Sequence, residues 1–97
     1  MLLTPTLAEP PVPLGTFVNN EMPILGFLRA AAFAPFCAGF NITGQPAISL
    51  PLGMSDDGLP IGVHLVAAYG REDVLIRVAS QLEQAAPWAA RQPQIHA

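Results

Sequence analysis

Residues 40–83, FNITGQPAISLPLGMSDDGLPIGVHLVAAYGREDVLIRVASQLE, decide how the rest of the chain is read. They read as a loop, a strand, a tight turn, a second strand and a helix. Over Ala47–Leu52 the side chains alternate, with Ile48, Leu50 and Leu52 on one face and Ser49 and Pro51 on the other. Over Ile61–Ala67 they alternate again, with Ile61, Val63 and Leu65 opposed to Gly62, His64 and Val66. Between the runs, Asp57-Gly58 predicts a type I′ hairpin turn, because that turn needs positive φ and glycine supplies it without strain. The hairpin thus presents one aliphatic stripe that must be covered.

The next segment can cover it. Gly70 ends the second strand, and Glu72 and Asp73 put negative charge in a first helical turn, where it suits the helix dipole. Val74, Leu75, Val78 and Leu82 recur at helical spacing. Arg77, four residues after Asp73, is expected to pair with it for about 0.3–0.5 kcal/mol. Pro87 prevents continuation.

Composition sets the context. The 97-residue chain is 52% hydrophobic and 11% charged, where ordinary domains carry about 25% charge. A small domain has a large relative surface and buries only about 60–65% of what its unfolded chain exposes. It should therefore be more charged than average, so much of this surface is expected to lie against protein. A net charge of −3, with no lysine, lacks the basic footprint of nucleic-acid binding. The single Cys37 excludes an internal disulfide and fits a reducing, cytoplasmic setting. The opening MLLTPTLAEPPVP lacks the basic region and apolar core of a targeting signal. The uncharged run 30–55 is broken by Pro35, Pro46, Pro51, Gly39, Gly44 and Gly53, which argues against a membrane span.

Outward from the hairpin, Met1–Thr4 reads as a strand whose partners are expected elsewhere. Pro5, Pro10, Pro11 and Pro13 make the remainder of residues 1–15 an extended connection. Residues 20–34 read as a helix: Ile24, Leu25, Phe27, Leu28, Ala31 and Ala32 recur at spacings of three and four, and Pro35 closes it. This helix is one possible cover for the second face of the sheet. Phe27, Phe33, Phe36 and Phe40 hold four of the five phenylalanines; core packing is the simpler reading, and lining of an apolar substrate channel the functional one. Phe40–Pro46 reads as a loop in which Gly44 takes positive φ. The remaining divisions are a hairpin over 47–67, a helix over 71–86 and a tail over 87–97. In the tail Trp88 is expected to fold back on the core and residues 94–97 to be disordered.

The pattern Asn41-x-x-Gly44-x-Pro46-Ala47-Ile48-Ser49-x-Pro51, then Gly58-Leu59-Pro60-Ile61-Gly62-Val63, then Gly70-Arg71-Glu72-Asp73 and Leu75-x-x-Val78-Ala79, resembles the C-terminal end of the amidase signature family. Order and spacing together make the resemblance fairly specific over half the chain. It implies an α/β fragment of a mixed sheet with covering helices: N-terminal strand, helix, β-hairpin and C-terminal helix. It also implies that Met1 is a cloning or fragment start rather than a natural beginning, and that Met1–Thr4 is a strand of the parent's central sheet. Family members hydrolyse amides without a cofactor, through a Ser–cis-Ser–Lys triad that lies in the N-terminal half. This chain has no lysine, and its serines, Ser49, Ser55 and Ser80, are scattered. No catalytic residue of the family can be carried onto it. By resemblance, Phe36, Phe40, Asn41 and Ile42 are the candidates for the acyl-side wall of a substrate pocket.

Other chemistry has little support in the residues. Cys37 with His64 or His96 is a conceivable nucleophile and base, but Phe36, Ala38 and Phe40 surround the thiol with apolar groups that leave it unreactive. His64 is alone on its strand and is expected to cap the outer face of the sheet. Asp56 and Asp57 lack the spaced ligands of a calcium loop, so no metal is expected. The favoured reading is a C-terminal fragment of an amidase that converts a carboxamide to a carboxylate plus ammonia or an amine. Its partner would be the missing N-terminal half, replaced by self-association into a homo-oligomer when the chain is isolated. The alternative is a non-catalytic oligomeric interaction module.

Overall fold

The computed structural model describes residues 1–93 and Ile95. In chain order the elements are β1 (Leu2–Pro5), α1 (Pro23–Phe33), α2 (Ala38–Thr43), β2 (Ala47–Met54), β3 (Pro60–Val66) and α3 (Glu72–Ala85). The expectation of a disordered 94–97 falls on residues that, Ile95 aside, lie outside those described.

The two alternating runs form the hairpin β2–β3, and the sheet order is β1-β3-β2 with both pairings antiparallel. The first strand finds a partner within the chain: Leu2 lies opposite Val66 and Thr4 opposite His64. The turn differs in type from the expectation. Gly58 has φ +78°, but among the described residues no non-glycine residue has positive φ, so Asp57 cannot complete a type I′ turn. Instead the Gly58 N–H donates to Ser55 O at 2.9 Å and the Ser55 N–H to Leu59 O at 2.9 Å. This three-residue loop needs only one left-handed residue.

The register shifts between Leu50 and Gly53, so Pro51 and Leu52 together oppose Gly62. A proline has no N–H to give a ladder, and a bulge on an outer strand is where it is tolerated. The Pro51 carbonyl is taken up by Arg91 Nη1 at 3.2 Å.

Leu50, Leu65, Ala67 and Leu75 form the buried core, flanked by Ile48, Leu52, Val63, Val78, Ala79, Leu82 and Trp88. The helix α3 thus covers the predicted stripe, and Trp88 folds back onto it. Asp73 is not paired with Arg77 by hydrogen bonds. Its carboxylate accepts from Arg71 Nε at 2.8 Å and Nη2 at 3.0 Å, a fork that Arg71 reaches from just before the helix.

The helix α1 is not the cover for the second face of the sheet. It has no buried residue, and Met22, Ile24, Leu25, Phe27 and Leu28 are all about half exposed or more. Pro23 sits in its first turn, where its missing N–H costs no bond, and Asn19 Oδ1 accepts from Met22 N–H. Phe17 packs edge-on against Phe33 at 5.3 Å. The shape follows: the radius of gyration is 15.7 Å, against about 12.5 Å for a compact domain of this length. The chain exposes 7133 Å², where a compact monomer of 10.2 kDa exposes about 5,300 Å².

Candidate functional site

The face of the sheet opposite α3 carries the polar residues of all three strands. Thr4 and Ser49 both lie opposite His64, one on each side of it. His64 is buried rather than capping an exposed face. Its Nδ1 hydrogen-bonds Thr4 Oγ1 at 3.0 Å, and its ring lies 5.8 Å from that of Phe40 at a tilt of 54°. Two residues along, Thr6 Oγ1 and Ser49 Oγ share a hydrogen bond of 2.6 Å above Gly62, whose carbonyl accepts from Thr6 N–H at 3.2 Å.

The expected loop at 40–46 is partly helical, since α2 spans Ala38–Thr43. It ends at Gly44 in the left-handed region, φ +71°, whose N–H donates to Phe40 O. Contacts on this short helix and just beyond its two ends tie it to the sheet and to the residues that follow β1 and β3. The Cys37 thiol points to Thr6 O at 3.7 Å. Phe40 lies against His64. Thr43 Oγ1 donates to Gln45 Oε1 at 3.0 Å, and Gln45 Nε2 donates to Ala67 O at 3.2 Å.

The four wall candidates therefore sit together, Phe36 just before α2 and the other three on it. Phe36 and Phe40 are half-buried, Asn41 is exposed, and Ile42 is 87% exposed. Cys37 bonds to backbone, and His96 lies outside the described residues.

Sequence reasoning missed a groove of about 480 Å³ on the same face, lined by Thr6, Leu7, Pro10, Ser49, Pro51 and Ile61 among others. Parity within each strand places Ser49 with Pro51 and Gly62 with His64. The missing information was that the Pro-rich segment folds over them. The side chains that line the groove are apolar but for the Thr6–Ser49 hydroxyl pair and Glu9. Among the described residues no three His, Cys, Asp or Glu side chains converge as metal ligands, and no helix is long and apolar enough to cross a membrane. Ser49 Oγ is bonded to a hydroxyl, not to a base, so it is not set up as an activated nucleophile.

Three comparisons bear on this geometry. The Amidase family model matches residues 1–76. The chain is 54% identical over 94 residues to the 6-aminohexanoate-cyclic-dimer hydrolase of Pseudomonas sp. (strain NK87), covering 95% of this chain and 18% of that protein. It is 53% identical over 94 residues to the hydrolase of the same name from Paenarthrobacter ureafaciens, with the same coverage. A solved structure of 6-aminohexanoate cyclic dimer hydrolase superposes with a TM-score of 0.82 at 45% identity, over 95% of this chain and 20% of that one. The chain spans about a fifth of the length of these relatives.

Proposed function

Because the chain belongs to the amidase family, as a C-terminal piece without the catalytic residues, we propose that it forms part of a hydrolase cleaving a carboxamide to a carboxylate plus ammonia or an amine. The observation that carries the reading is the family match over residues 1–76. The open surface supports it. An excess of about 1,800 Å² over a compact monomer, much of it apolar on α1 and β1, suits a segment packed within a larger enzyme.

In this reading Phe36, Phe40, Asn41 and Ile42 form the acyl-side wall of the substrate pocket, and the partner of the open surface is the N-terminal part of the same enzyme. The enzyme is cytoplasmic and binds no nucleic acid. Alone, the chain associates with itself. Two relatives are named for hydrolysis of the 6-aminohexanoate cyclic dimer, so amides of ω-amino acids, cyclic and linear, are the first substrates to assay.

The test compares the complete enzyme carrying this segment with the 97-residue chain. Amine or ammonia release by the complete enzyme and none above buffer by the chain is expected. Turnover by the chain that survives repurification, or no turnover of any amide in the panel by the complete enzyme, overturns the reading.

A further inference from the structure

A buried imidazole needs a partner for its polar atoms, whereas an apolar residue in the same place would need none. Among the described residues, His64 Nδ1 meets that requirement at Thr4 Oγ1, 60 residues away. Its backbone is held on both sides, since β3 is the central strand of the sheet and His64 is in register with Thr4 and Ser49. The Thr4 hydrogen bond then restrains the two side-chain torsions that place the ring. The fixed ring meets Phe40.

The helix α2 has six residues, none fully buried. A helix that short does not hold its own position, so its placement comes from its anchors. Cys37 and Gln45 tie down the two ends, and Phe40 meets the His64 ring between them. Asn41 and Ile42, the next two residues, are left exposed.

We propose that His64 is a positioning residue for the substrate pocket: through the run of contacts Thr4–His64–Phe40 it sets where α2 places Asn41 and Ile42, and so which acyl groups fit. The inference rests on the reading of α2 as pocket wall. His64 touches no substrate in this account; it acts through Phe40.

The test uses the complete enzyme and three variants. His64→Leu removes ring and hydrogen bond, Thr4→Val removes the hydrogen bond alone, and His64→Phe restores a ring. The readout is the ratio of kcat/KM for a bulky and a small acyl amide, which a purely structural loss of folded enzyme does not move. His64→Leu is expected to change that ratio about tenfold or more, as a wall displaced by about 1 Å would, mainly through KM for the bulky amide. Thr4→Val should shift it in the same direction by less, and His64→Phe should restore part of it. Lowered melting temperatures with an unchanged ratio overturn the proposal. If the wild-type enzyme hydrolyses no amide, the functional reading fails, and the crystal structure of the His64→Leu enzyme decides the inference. A displaced α2 supports it, and an unmoved α2 overturns it.

Discussion

Thr6 and Ser49, 43 residues apart, share a hydroxyl–hydroxyl hydrogen bond of 2.6 Å across the backbone of Gly62. The bond exists because the residue between them has no side chain. A Cβ on Gly62 would stand 2.5 Å from Thr6 Oγ1 and 2.8 Å from Ser49 Oγ. The Pro-rich segment is attached to the sheet at this point, and the groove opens beside it.

Gly62→Ala is therefore expected to part the two hydroxyls and to destabilise the chain by about 1–3 kcal/mol, the range for forcing a methyl into a filled site. Thr6→Val, which removes the bond without the clash, should cost less, about 0.5–1.5 kcal/mol. Denaturant unfolding of both variants checks the order; an alanine variant as stable as wild type contradicts the packing.

At Gly58 the outcome depends on backbone alone. An added Cβ meets nothing within 4 Å, and φ is +78°. Gly58→Val should cost about 1–2 kcal/mol from the left-handed penalty, and Gly58→Asn clearly less, since asparagine tolerates that region. Equal losses for the two variants would show that φ is not what the turn demands.

The Arg71–Asp73 fork has a pH signature. The hydrogen bond from Arg71 holds the Asp73 carboxyl below its ordinary value, and the charges of Arg71 and Arg77 add to this. A depressed folded-state value means that the stabilisation is present above the ordinary aspartate value, about pH 4, and is lost as pH falls through the lower folded value. Both side chains are about half exposed, so the effect is small and screened by salt. The difference in melting temperature between wild type and Asp73→Asn should be visible at pH 7 in low salt, and should shrink toward pH 2 or in 1 M salt. A difference that grows on acidification contradicts the pairing.

What could be read from the sequence was what repeats locally. Alternation located β2 and β3, and the spacing of Leu75, Val78 and Leu82 located α3 and the face it buries. Pro51, in the middle of a run, was the trace of the bulge. The pairing of β1 with β3 has no such trace, because Thr4 and His64 are separated by 60 residues. The helix α2 escaped notice because Gly39, Asn41, Ile42 and Thr43 are weak helix formers, and the contacts that hold it are tertiary. Asp73 found Arg71 because the arginine precedes the helix, outside the reach of a spacing rule for residues within one. The wall candidates came from resemblance. Their relation to His64 depends on a fold that brings residue 40 onto residue 64, which periodicity does not encode.

If the surface left open by this chain is an interface of a larger enzyme, the isolated chain should bury it against itself. Light scattering coupled to size exclusion of the isolated chain, at micromolar concentration, measures this. With Leu2, Leu3, Ile24, Phe27 and Leu28 open to water, and with a stable interface needing more than about 1,000 Å² in total, a mass of at least twice 10.2 kDa is expected. A monodisperse species of 10.2 kDa would contradict it.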